Sequence, residues 1–390
     1  MSSPTTRGRG PTFSVALAIH RLSPWGGLER DALRVAREAV GRGHRVAVLS
    51  GEVAEGLDLS DLNVVRLEPR GRTNHARARA FSSEVAARAS DYDARIGFNA
   101  SAGLDLFFAG DRCYTDRVHE SRGPWVRLTP RYRTLAALEA EVLCGTRGPR
   151  ILLLAEAHRA VFQRWYGTPD DRFEVLPPGI DPSRRRGPNH AEDRRRIRAE
   201  FGVPENARLI LFLGSDFRRK GADRALAALA RLPDAPHHHL VVAGAGDARW
   251  IERAARALGL VVGPAPGARV HLAGPRDDAG ALLAASDALV HLARSEAGGA
   301  VLLEALSAGV PVVATDVCGY APWVAASGAG AVLRANVDAP DAARALERVL
   351  SDHEMPDRAL SFVDAHPELF TMHARIVDAL ERAAEERRGR

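Results

Sequence analysis

Short apolar runs alternate with Ala/Arg-rich stretches of helical spacing along most of the chain. Residues 13–19, FSVALAI, read as a buried strand, Pro24 to Gly27 as a tight loop, and Leu28 to Gly41 as an amphipathic helix that stops at a glycine. Further apolar runs follow at HRVAVLS, LNVVRLE, DARIGFN, RILLLA and RFEVLPP, separated by helical stretches such as Ala76 to Ala89 and Tyr132 to Leu143. Alternation of strand and helix predicts an α/β fold built on a doubly wound parallel sheet.

The pattern breaks at Leu176-Pro177-Pro178-Gly179-Ile180-Asp181-Pro182, and the charged run SRRRGPNHAEDRRR that follows reads as a linker. A second series then begins, with strands at RLILFLG, HLVVAGAG, RVHLAG, ALVHLA and PVVATD. Helices are expected from about Arg219 to Arg231, Ala248 to Leu258, Asp278 to Ala284 and Val301 to Ala308, and through most of the stretch from Pro340 to Arg390. The expected organisation is two Rossmann-like domains, 1–182 and 183–390, facing across a cleft; 390 residues suit two such cores.

A hydrophobic content of 46% with 26% charged residues fits a soluble globular enzyme, and 6% aromatics disfavours a platform for stacking bases. The net charge of +5 suits anionic partners such as nucleotide diphosphates, phosphorylated lipids or a membrane surface. Charge spread through both halves, with no recognised binding module, argues against nucleic acid. Cys113, Cys144 and Cys318 are too scattered for a disulfide framework or a zinc site, which fits a reducing cytoplasm. The apolar run from Phe13 to Ile19 ends at His20-Arg21 without a small-residue cleavage pattern. No stretch reaches the ~18 uninterrupted apolar residues of a membrane span, so neither export nor spanning is expected.

Three loops carry candidate chemistry. Trp25-Gly26-Gly27-Leu28-Glu29-Arg30 opens the first helix, where absent Cβ atoms would let a phosphate reach backbone amides. Gly214-Ser215-Asp216-Phe217-Arg218-Arg219-Lys220-Gly221 leaves a strand at the carboxyl edge of the second sheet, where ligands of open α/β folds bind. The 54 lysine and arginine side chains include a single lysine, Lys220. A compact ammonium where arginine is the rule points to a phosphate, although a solvated basic helix start would look the same. In Ser295-Glu296-Ala297-Gly298-Gly299-Ala300-Val301-Leu302-Leu303-Glu304, two carboxylates lie eight positions apart, Glu296 on a loop and Glu304 inside the next helix. The glycine amides would suit phosphate oxygens, and Glu304 could accept hydrogen bonds from vicinal hydroxyls.

Other patterns weigh less. Asp91-Tyr92-Asp93 matches a metal-chelating D-x-D spacing but precedes a strand of the first domain, and His237-His238-His239 lacks spaced partners. No GxSxG, Walker or HExxH pattern occurs, and Gly244-Ala245-Gly246 lacks the third glycine of a nicotinamide fingerprint. Between Arg112 and Arg133 six arginines interleave with Tyr114, Trp125, Leu128 and Tyr132, a composition suited to an anionic leaflet or to an ordinary basic loop.

Taken in order, PWGGLERD, TNHAR, GFNASAGLDLFFAGDRCY, RLTPRYR, LPPGI, GSDFRRKG and VLLEALSAGVPVVATDVCGYA resemble the retaining glycosyltransferases of family 4, which have the GT-B fold. Within it they are most similar to the lipopolysaccharide core glucosyltransferases that act on the inner-core heptose. The likeness runs from about residue 13 to 325. It implies that Gly27 and Asp31 border a UDP-glucose donor and that Arg219 and Lys220 neutralise its diphosphate. Arg276 would lie near the uracil, and Glu304 would hold the ribose. Glu296 would touch the transferred sugar, with Ala297, Gly298, Gly299, Ala300 and Val301 beside it. Asp111 would receive the proton of the acceptor, a lipid-linked heptose, with Asp105 as the fallback. No cofactor and no metal are expected, and the cytoplasmic face of the inner membrane is the expected location, with peripheral attachment. Another UDP- or GDP-sugar-dependent hexosyltransferase, or a sugar-nucleotide 2-epimerase, is the alternative.

Overall fold

The computed structural model describes residues 12–24 and 26–389. The leader through Pro11, Trp25 of the first glycine loop and Arg390 lie outside them.

The chain divides into two units, the first comprising residues 1–177 and 371–390 and the second 178–370. In the first unit β1 (Ser14–Leu22), β2 (Arg45–Val53), β3 (Asn63–Arg66), β4 (Ala94–Gly97), β5 (Leu106–Ala109), β6 (Arg150–Leu153) and β7 (Phe173–Val175) form one parallel sheet in the order β3-β2-β1-β4-β5-β6-β7. Val15, Leu17 and Ile19 of β1 enter one core while Ala16 and Ala18 enter another. Burial on both faces is why this strand reads as an unbroken apolar run rather than an alternating one.

The second unit repeats the plan with β8 (Arg208–Leu213), β9 (His238–Ala243), β10 (Val270–Gly274), β11 (Ala288–His291), β12 (Val312–Thr315) and β13 (Gly330–Leu333), in the order β10-β9-β8-β11-β12-β13. Each order reverses once, between β1 and β4 and between β8 and β11. Loops leaving the carboxyl ends of such a pair diverge to opposite faces and open a crevice. Both units are thus the Rossmann-like sheets expected. β5 and β13 were not anticipated.

Two domain assignments need correction. Residues 178–182 belong with the second unit: the Ile180 amide donates to Leu369 O at 3.0 Å, and Gly179 bridges Phe370. The helix Met372–Arg388, assigned from sequence to the second domain, returns to the first. Its apolar face, with Ile376, Val377 and Leu380, enters the core of Val15 and Leu17. Arg42 meets Asp378 at 2.6 Å and Arg388 meets Asp93 at 2.8 Å along its flanks.

The D-x-D pattern is structural. Asp91 closes a turn of 3-10 helix, and Asp93 accepts from the Ser14 amide at 2.7 Å besides pairing with Arg388. His237 ends another such turn and pairs with Asp234 at 2.8 Å, while His239 meets His271 at 3.1 Å inside the sheet. Among the described residues no three His, Cys, Asp or Glu side chains are grouped to hold a metal ion, and no helix is long and apolar enough to cross a membrane.

Candidate functional site

The crevice of the second unit lies where β8 and β11 end. Beyond β8 the chain turns through Gly214 (φ +154°) and Asp216 (φ 58°), and Gly221 (φ +79°) precedes the helix Ala222–Leu229. A Cβ on Gly221 would stand 2.0 Å from Leu292 O, so only glycine lets this loop pass against the end of β11. Arg219 and Lys220 therefore sit in the loop, three and two residues before the helix begins, not within its first turn as the spacing suggested. The Arg294 amide donates to Arg219 O at 2.8 Å and ties the two loops together.

Glu296 faces these cations. Lys220 Nζ is 3.3 Å from its Oε2, Arg219 Nη1 is 3.6 Å from its Oε1, and His291 Nε2 is 3.3 Å from Oε2. Burial alone would raise the carboxyl's pKa; the His291 hydrogen bond and the charges of Lys220 and Arg219 outweigh it and hold the group well below the usual carboxylate range. Glu296 is therefore ionised. Burial lowers the pKa of His291, which is neutral at pH 7. Arg219 also donates to Asp216 at 3.0 Å and to Ser295 O at 2.8 Å, which aims its guanidinium across the crevice.

Ala297, Gly298 and Gly299 lead into the helix Ala300–Ser307, with Gly299 at φ +85°. The amides of Ala300 and Val301 have no acceptor one turn earlier inside the helix, as at any helix start. Glu304, one turn on, is buried and has Arg184 Nε at 4.0 Å. Arg276, expected beside the uracil, is instead clamped within its own unit. It donates to Asp278 at 2.7 Å and to Glu200 at 2.5 and 3.1 Å, and these bonds, Asp278 first, raise its pKa further above the guanidinium value. Without a ligand its guanidinium is engaged by these two carboxylates.

The model of the family "Glycosyl transferases group 1" matches residues 193–361, and that of "Glycosyltransferase Family 4" matches residues 25–184. Over 323 residues the chain is 38% identical to the lipopolysaccharide glucosyltransferase WaaG of Escherichia coli (strain K12), covering 82% of this chain and 84% of that one. The chain belongs to glycosyltransferase family 4. The crystal structure of WaaG, a glycosyltransferase involved in lipopolysaccharide biosynthesis, superimposes with a TM-score of 0.85 at 34% identity, covering 94% of this chain and 99% of the other. Anabaena HepE, crystallised with UDP-glucose, shares the fold with a TM-score of 0.74 at 18% identity, over 95% of this chain and 100% of its own.

In the first unit of this glycosyltransferase the switch point lies between β1 and β4, where the His20 amide donates to Asn99 Oδ1 at 2.8 Å. Gly27 opens the helix Gly27–Gly41, and among the described residues a Cβ there would meet nothing within 4 Å. No left-handed φ demands glycine at this position. Asp31, one turn later, meets His373 Nε2 at 3.1 Å.

Asp111 and Asp105 separate cleanly. Asp105 is spent on Arg95, accepting from its Nε at 2.8 Å, its Nη2 at 2.7 Å and its amide at 2.9 Å. It is not a free base. Asp111 is exposed on the loop between β5 and the helix Tyr114–Ser121. That loop is anchored by buried Glu139, which accepts from the amides of Tyr114 at 2.6 Å and Thr115 at 3.0 Å and from the Tyr166 hydroxyl.

Sequence reasoning missed His291, Arg184 and Glu139. A histidine inside the apolar run ALVHLA and a glutamate within an Ala/Leu helix were the available signals.

Proposed function

We propose that this glycosyltransferase moves glucose from UDP-glucose to a heptose of the lipopolysaccharide inner core, with retention and with no required metal. Similarity to the E. coli lipopolysaccharide glucosyltransferase supports the donor and acceptor classes. The observation that carries the reading is the convergence of Lys220, Arg219 and Glu296 at the β8/β11 switch point.

Before the donor arrives, the Glu296 carboxylate is paired with both cations. A diphosphate takes over Lys220 and Arg219, and Glu296 is released to accept from hydroxyls of the transferred sugar. Glu304 accepts from the ribose, the amides from Gly298 to Val301 face phosphate and sugar oxygens, and Gly27 and Asp31 border the donor. The bond from the anomeric carbon to the phosphate oxygen breaks with its electron pair leaving on UDP. A new bond forms to the heptose oxygen, whose proton passes to Asp111. Two cations on the leaving group supply the charge stabilisation that a metal provides in other transferases.

Attachment to the cytoplasmic leaflet fits the segment after Asp111. Pro124 and Pro130 divide it into the helix Tyr114–Ser121, the 3-10 turn Pro124–Leu128 and the helix Pro130–Leu143. Trp125 is 78% exposed and Leu128 59%, among exposed Arg122, Arg127, Arg131 and Arg133. Aromatic and aliphatic tips amid cations suit an anionic lipid surface.

Calorimetry of UDP-glucose binding with chelator present tests the donor assignment. Wild type binds in the micromolar range and Glu304→Ala loses that binding; no binding by wild type would refute it.

A further inference from the structure

We propose that His291 is a positioning residue, whose Nε2–H holds the Glu296 carboxylate in place while the donor occupies Lys220 and Arg219. The inference rests on the reading that Glu296 meets the transferred sugar, and extends it to the group that keeps Glu296 in register.

His291 ends β11 after Ala288, Leu289 and Val290, and no part of it reaches solvent. Its ring stacks on Phe212 of β8, with centroids 6.3 Å apart and planes 14° from parallel. An apolar side chain would suit such a position. Among the described residues Nδ1 is buried without a hydrogen-bond partner, a loss that a phenylalanine or leucine would avoid. What offsets that loss is at Nε2, 3.3 Å from Glu296 Oε2. With the ring neutral and Nδ1 facing the apolar core, the single proton sits on Nε2, where it is donated to the carboxylate.

The other groups on Glu296 differ in kind. Oε2 is shared with Lys220, and Oε1 faces Arg219 at 3.6 Å and the Ala297 amide at 3.2 Å. Lys220 and Arg219 are long, rotatable chains whose charges a diphosphate draws away. The imidazole is locked between strands and does not follow them. Once the donor binds, His291 and the Ala297 amide remain to fix the carboxylate. Without the imidazole, Glu296 is free to track the cations instead of the sugar hydroxyls.

The test compares three variants with wild type, reading kcat and KM for UDP-glucose, affinity for UDP and for UDP-glucose, and thermal midpoint. His291→Phe keeps the stack on Phe212 and removes the donor. His291→Gln places an amide near the position of Nε2, and His291→Asn places one near Nδ1, out of reach of Glu296. His291→Phe lowers kcat roughly 10- to 100-fold, as expected for a lost hydrogen bond to a charged group. It leaves UDP affinity unchanged, weakens UDP-glucose relative to UDP, and melts no lower than wild type. His291→Gln recovers most of kcat and His291→Asn does not, a contrast that decides the matter even if the phenylalanine variant fails to fold. Wild-type kcat in His291→Phe, or equal losses in Gln and Asn, overturns the role of His291. A wild type that neither binds nor consumes UDP-glucose overturns the donor reading and this inference with it.

Discussion

Lys220→Met keeps the aliphatic stem that packs over Gly214, where a Cβ would lie 2.8 Å from Lys220 Cδ, and removes the ammonium. Two consequences can be sized separately. In the unliganded protein Glu296 loses a partner at 3.3 Å but keeps Arg219 at 3.6 Å and His291 at 3.3 Å. Removing one member of a buried pair with no substitute costs about 3–5 kcal/mol, so with two partners remaining the stability loss should be nearer 1–2 kcal/mol. During transfer, one negative charge more develops on the leaving diphosphate, and a single preorganised donor to such a charge contributes roughly 2.7–4 kcal/mol. That corresponds to a fall in kcat of about 100- to 1000-fold. The assay is release of UDP from UDP-glucose in the presence of acceptor and chelator, with the thermal midpoint followed on the same preparation. A modest drop in midpoint with a large drop in kcat is expected. Near wild-type kcat in a folded Lys220→Met protein would sink the diphosphate assignment, and equal fractional losses of folded protein and activity would reduce Lys220 to a structural counter-ion.

Asp105→Asn leaves the buried Arg95 guanidinium without its carboxylate and should cost roughly 3–5 kcal/mol in chemical denaturation, while activity per folded molecule is kept. Asp111→Asn should show the reverse, an unchanged midpoint and a large loss of kcat. His20 and His271 are held neutral by burial, with pKa values of about 4 against 6.5 unfolded. The unfolded chain binds protons that the fold refuses, so their contribution is complete above pH 6.5 and fades as pH falls towards 4, by up to roughly 3 kcal/mol each. Denaturation midpoints at pH 7 and pH 4.5 check this, with His271→Phe flattening the profile. Trp125→Ser with Leu128→Ser should weaken sedimentation with phosphatidylglycerol vesicles and leave turnover of a soluble acceptor unchanged; unaltered sedimentation would remove this turn from the docking surface.

The two-sheet architecture was legible because buried parallel strands impose an unbroken apolar run, visible at FSVALAI and RLILFLG without any tertiary knowledge. The loops carrying Arg219, Lys220 and Glu296 were legible too, since glycine marks where strand gives way to loop. What no local pattern could supply was which groups meet. Arg276 and Asp278 are two residues apart, but the second carboxylate on the guanidinium, Glu200, arrives from a distant helix. The last helix has an apolar face readable from its spacing, yet only packing decides that the face covers Val15 and Leu17 in the first unit rather than the second. Lys220 and Glu296 are 76 positions apart in the chain, and it is the adjacency of β8 and β11, strands not consecutive in sequence, that brings them to 3.3 Å. Periodicity reports which face of an element is apolar; sheet order reports which loops share an edge. The chemistry of this glycosyltransferase depends on the second.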